Sequence, residues 1–106
     1  MSPGVNDGAV ALVVGSLAAG EKAGVKPMAR VIASAAMGVP PHIMGIGPVA
    51  ASKKALARVG LSIKDMDIIE INEAFATQVL ACLKGLGVAF DDQRVNPNGG
   101  AIAVGH

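Results

Sequence analysis

A histidine follows a short apolar run and a glycine pair in Asn96-Pro97-Asn98-Gly99-Gly100-Ala101-Ile102-Ala103-Val104-Gly105-His106. An imidazole presented by a rigid element can take or give a proton near neutral pH. A histidine in last position is as readily disordered and inert, and both readings stand at this point. The Gly-Gly pair allows positive φ or close approach of the backbone to another group. Ala101 to Val104 is too short and too small-sided to be an independent helix. A sequence that stops on its most chemically capable residue leads us to expect a piece of a longer protein.

A second candidate is Asn72-Glu73-Ala74-Phe75, where a short apolar run gives way to helical periodicity. Ligands of open α/β sheets bind beyond the carboxyl ends of strands, which favours a site. Asn72 also suits a helix N-cap, with Glu73 favourable to the helix dipole, so capping competes with chemistry here. Gly45-Ile46-Gly47-Pro48-Val49-Ala50 has the form G-x-G-x-x-A. A dinucleotide fingerprint needs a strand directly before it. Pro40-Pro41-His42 intervenes, and no acidic residue ends a following strand, so this reads as a packing or substrate-lining loop. His42 sits in an exposed-looking loop and Cys82 on an apolar helix face, and both read as structural.

Alternating segments must position these residues. Ala9 to Val14 is continuously apolar, which suits a strand covered on both faces. Ser16 can cap a helix running to about Ala23, with Gly24 just past its end. Ala29 to Met37 reads as a second strand, followed by the irregular loop from Gly38 to Gly47. Pro48 opens a helix to Val59, with Val49, Ser52, Leu56 and Val59 on one face. Ser62 to Asp65 has capping-box spacing. Ile68 to Ile71 is a third strand, and Ala74 to Leu86 is the strongest helix. There Phe75, Val79, Cys82, Leu83 and Leu86 share a face, and Gly87 stops it. Strands alternating with helices predict an α/β layered fold around a largely parallel sheet.

Composition narrows the function classes. The 106 residues are 52% hydrophobic but 2% aromatic, so the core must come from Ala, Val, Ile, Leu and Met at close backbone approach. With 16% charged residues, much apolar surface needs a partner. A net charge of +1, without a basic cluster interleaved by aromatics, argues against nucleic-acid binding. No apolar run approaches the roughly 20 residues of a membrane span. Met1 to Asp7 lacks the basic start and apolar block of a signal peptide, so a cytoplasmic protein is expected. The single cysteine, Cys82, allows no internal disulfide and gives no metal constellation.

Four segments in order resemble the thiolase family: Gly4-Val5-Asn6-Asp7-Gly8-Ala9, Met44-Gly45-Ile46-Gly47-Pro48-Val49, Asn72-Glu73-Ala74-Phe75-Ala76, and Asn96 to His106. The resemblance covers essentially the whole chain, matching part of the family's C-terminal half. It implies an incomplete βαβαβα half-domain of the thiolase-like layered fold over residues 1–106. It also implies acyl transfer to or from coenzyme A, by thiolytic cleavage of 3-ketoacyl-CoA or Claisen condensation. His106 would activate the nucleophilic cysteine and help bind the thioester oxygen, in general-base and oxyanion roles. Asn72 would hold a water completing that oxyanion site, while Met44, Phe75 and Gly105 would line the acyl and CoA pocket. Coenzyme A enters as a thioester substrate, with no cofactor or metal, and a homo-oligomer is expected. Ala50 stands where the family commonly has proline. The sequence holds neither of the family's catalytic cysteines, and Cys82 lies on the wrong element to replace them, so this chain alone is expected to be inactive. The competing readings are a CoA-binding module on the Gly45–Pro48 loop and a self-associating structural module.

Overall fold

Burial concentrates between Ile69 and Val88 in the computed structural model, which describes residues 1–106. Ile69, Val79, Cys82, Leu83, Leu86 and Val88 form the core, with Val49, Ile63, Met66, Ile71 and Val95 packed partly buried around it. The chain forms four helices, α1 (Leu17–Lys22), α2 (Gly47–Ala57), α3 (Ala76–Leu86) and α4 (Ala101–Val104), of which α2 and α3 pack on each other at this cluster. Helix α3 is the pillar. Val79, Cys82, Leu83 and Leu86 recur at helical spacing and bury one stripe. Helix α2 approaches closely because residue 85 is glycine; a Cβ there would lie 2.9 Å from Val49 Cγ2. Close approach is how a core with almost no aromatic side chains reaches its packing.

The stop signals behave as expected. Gly24, Gly60 and Gly87 all take left-handed φ just past helices α1, α2 and α3. After α3, Gly87 N–H donates to Lys84 O and Val88 N–H to Leu83 O, the paired bonds of a Schellman ending. Ser16 Oγ accepts from Ala19 N–H at the start of α1. Asp65 Oδ2 accepts from Ser62 N–H at 2.7 Å and from Ser62 Oγ at 3.0 Å, closing the expected box around the 3₁₀ turn Ile63–Asp65. The loop before α2 is more ordered than expected, with 3₁₀ turns over Pro41–Ile46 kinked at Ile43. Helix α2 begins one residue early, at Gly47, and ends at Ala57 rather than Val59.

The strands are the main correction. Residues 9–14 form no ladder and stay exposed, with Val13 fully so. Residues 29–37 are held from the side instead. Lys54 Nζ donates to Ala36 O at 3.1 Å, and Arg58 Nη1 donates to Ser34 O. Residues 68–71 contribute one parallel bridge, Ile69 to Val95. A strand is stable only as a member of a pair, because its N–H and C=O groups need a neighbouring edge. The apolar runs here are not brought edge to edge. The radius of gyration, 16.0 Å, accordingly exceeds the roughly 13 Å of a compact chain this long.

Candidate active site

Between the bridge residue Ile69 and the start of α3 the backbone forms no helix and bends at Ala74. The adjacent residues Asn72 and Glu73 border different cavities. Asn72 lines a cavity of about 320 Å³ with Pro48, Ser52, Glu70 and Gln78. Glu73 lines a larger one of about 530 Å³, with Ala76, Phe90, Asn96 and Ile102. Asn72 is not the helix cap. Helix α3 begins at Ala76 rather than Ala74, with Phe75 at the cap position making no side-chain bond. The Ala76 N–H is satisfied by Met1 O at 3.1 Å. That leaves the Asn72 amide exposed and free of a capping duty.

The glycine-rich return is built onto this segment by side chains. Ile69 N–H donates to Arg94 O, and Asn96 N–H to Ile69 O, both at 2.9 Å. The Asn96 side chain then supplies the next rung that backbone would otherwise provide. Its Oδ1 accepts from Ile71 N–H, and its Nδ2 donates to Ile71 O, again at 2.9 Å. Asn96 holds this position at φ 44°, in the left-handed region that asparagine tolerates better than most residues. From there Asn96 Nδ2 also donates to Glu73 Oε1 at 3.1 Å. The second oxygen, Glu73 Oε2, accepts from Ile102 N–H at 2.9 Å. Helix α4 is thus a single turn that tertiary contacts sustain, which reconciles it with its poor intrinsic prospects.

Residue 100 is glycine for a steric reason. A Cβ there would sit 2.5 Å from Glu73 Cδ and 2.7 Å from each carboxylate oxygen. At the far end, Asn6 Nδ2 donates to Val104 O at 3.3 Å and His106 N–H donates to Gly4 O at 3.0 Å. Gly105, at φ 108°, lies directly against the Asn6 side chain, which leaves no room for a Cβ. The His106 imidazole itself is exposed.

Met44 and Phe75 are exposed, and with His106 and Gly105 they lie outside the two cavities. The Met44–Gly45 turn nonetheless rests on α3. Gln78 Nε2 donates to Gly45 O at 3.0 Å and Cys82 Sγ donates to the same oxygen at 3.4 Å. Burial pushes the Cys82 thiol up from its ordinary pKa, the reverse of what a nucleophile needs.

Sequence reasoning passed over several positioning residues. Arg94 Nη1 donates to Ile63 O and Met66 O, while Nε and Nη2 hold Asp92. The Arg94 side chain and backbone bonds keep the Asp92 carboxyl depressed to about 2. This guanidinium ties the 63–66 turn to the strand-like return. The roles of Asn96 and Asn6 were also missed, although both lie in the segments that carry the family resemblance. The available signal was an asparagine beside Pro or Asp-Gly in turn context, where its amide commonly bonds backbone.

Residues 25–106 match the family described as thiolase, C-terminal domain. Over 103 residues the chain is 62% identical to a beta-ketoadipyl-CoA thiolase of Pseudomonas aeruginosa, covering 97% of this chain and 26% of that protein. It is 55% identical, with the same coverage, to a 3-oxoadipyl-CoA/3-oxo-5,6-dehydrosuberyl-CoA thiolase of Escherichia coli K12. Human mitochondrial 3-ketoacyl-CoA thiolase, solved in complex with CoA, superposes with a TM-score of 0.79 at 49% identity, over 86% of this chain and 22% of that one. An acetyl-CoA acetyltransferase of Bacillus anthracis gives the same score at 44% identity, over 86% and 23%. The chain spans about a quarter of the length of the curated relatives it matches.

Proposed function

The chain belongs to the thiolase family and shares its fold, and from that premise we propose that it carries the activating histidine and oxyanion asparagine of a CoA-dependent acyltransferase. The reaction is reversible acyl transfer between a 3-ketoacyl-CoA and coenzyme A, as thiolysis or Claisen condensation. His106 takes the proton of a nucleophilic cysteine, and then donates toward the thioester oxygen as charge develops there. Asn72, with its amide exposed, holds the water that completes this oxyanion site. Met44, Phe75 and Gly105 line the acyl and CoA path. The acyl-accepting thiol and the second, proton-moving thiol come from residues outside this sequence, because Cys82 is buried and its thiol pKa is raised. The chain alone is therefore inactive.

One observation carries this reading. The Asn72–Phe75 and Asn96–His106 segments, far apart in sequence, are joined into one unit through the Glu73 carboxylate. The reading extends to the fold: residues 1–106 form part of a C-terminal half-domain whose 9–14, 29–37 and 68–71 segments become strands when further edges pair with them. The chain exposes 8205 Å² where a compact protein of its mass exposes about 5,400 Å². That excess, together with exposed Val10, Val13, Val31 and Ile32, supports burial against further protein, which in this proposal is the rest of a homo-oligomeric, cytoplasmic enzyme. No helix is long and apolar enough to cross a membrane.

The test is a chimera: the Pseudomonas aeruginosa thiolase carrying this chain in place of the segment it matches. The chimera should catalyse CoA-dependent thiolysis, and His106→Ala should lower kcat by roughly 100-fold or more, the scale of losing a general base. A folded chimera without activity, or one indifferent to His106→Ala, would refute the assignment.

A further inference from the structure

We propose that Glu73 is the positioning residue that sets His106 relative to Asn72, a role resting on the proposed acyltransferase reading. The carboxylate has two acceptor oxygens, and each is committed to a different part of the return. Oε1 takes the Asn96 side chain and Oε2 takes the Ile102 backbone N–H. Asn96 in turn holds both backbone groups of Ile71, immediately before Asn72. Ile102 lies in the single turn that leads to His106. One side chain therefore fixes the origin of both proposed catalytic groups. Gly100 completes the arrangement, since any Cβ would occupy the space the carboxylate fills.

A carboxylate suits this duty for a definite reason. It accepts through both oxygens, whereas a glutamine offers one acceptor and turns a donor toward the other partner. At Ile102 or Asn96 that donor would face another donor. Both bonds end on a carboxylate, and hydrogen bonds to an ionised acceptor are stronger than neutral ones. Glu73 does not touch the reacting atoms in this scheme. It acts through backbone placement, and a misplacement of about 1 Å can cost on the order of 100-fold in rate.

The experiment uses the chimera described above, with Glu73→Gln and Glu73→Ala. Thiolysis kinetics and deuterium uptake by the peptide spanning Ile102 are measured on the same preparations. Glu73→Ala should lower kcat by about 10- to 100-fold with KM within about twofold, and should speed exchange at Ile102. Glu73→Gln, which keeps one acceptor, should fall between wild type and Glu73→Ala in both readouts. Unchanged exchange at Ile102 in Glu73→Ala would overturn the lock itself. Faster exchange with unchanged kcat would overturn its role in placing His106. A folded but inactive parent chimera would instead strike at the acyltransferase reading, and the exchange measurement would still decide the lock.

Discussion

Replacing Gly100 with alanine should cost stability only while Glu73 is present. The added Cβ would lie 2.5 Å from Glu73 Cδ, so the carboxylate must leave its place. The backbone at residue 100, with φ −145° and ψ −165°, is extended and accepts alanine without strain. The whole penalty is therefore the loss of what Glu73 holds, two hydrogen bonds to a charged acceptor. Such bonds contribute about 1.5–3 kcal/mol each when buried. Glu73 is only partly buried, so about 2 kcal/mol for the pair is the reasoned value. Glu73→Ala should cost the same about 2 kcal/mol, since it removes the same bonds. The double variant should cost no more than Glu73→Ala alone, leaving a coupling of about 2 kcal/mol in a double-mutant cycle. Urea titration of the four proteins, followed by helical circular dichroism, measures each corner. Additive costs, with the double variant losing about 4 kcal/mol, would refute the steric argument.

Three further outcomes follow from the geometry. Leu83→Ala, at a side chain 2% exposed in the centre of α3, should cost about 2–4 kcal/mol in urea titration, while Val13→Ala, fully exposed, should stay within about 0.5 kcal/mol. Asp92 is depressed to about 2 in the folded chain, chiefly by Arg94, and Asp65 is lowered by its bonds to Ser62. Both shifts favour the folded state above their unfolded value of 3.8, and that stabilisation is lost as pH falls from about 4 toward 2. Asp92→Asn should flatten this acid limb when urea midpoints are compared across pH. Finally, the buried Cys82 thiol should react with a thiol reagent at pH 8 far more slowly in the native chain than in denaturant.

Helices were legible because their signals are local. Ser16, Gly24, Gly60 and Gly87 marked α1, α2 and α3 within a residue or two, and the Val79–Leu86 stripe named four of the six core residues. Strands were not, because a strand is a relation between two segments. The apolar character of residues 9–14 says that they can be covered, not by what. The two segments that Glu73 joins, 72–75 and 96–106, were legible as segments through the family resemblance. The wiring between them was not. The capping reading of Asn72 failed because Phe75 takes the cap position. That Asn96 serves as a ladder rung and Glu73 as a two-pronged clamp depends on side-chain placement that no periodicity encodes.

The bonds between Gly4 and His106 and between Asn6 and Val104 close a loop of nearly the whole chain. Bringing together partners 98 residues apart costs an unfolded chain about 4 kcal/mol of loop-closure entropy, more than the bonds return by themselves. They can therefore form only after α3 and its neighbours have shortened the distance. The segment that presents His106 is consequently among the last parts of the chain to settle during folding, and among the first to open when stability declines. The imidazole takes its final place only once the rest of the chain is assembled, so loss of structure elsewhere should release the His106 segment before it melts the core.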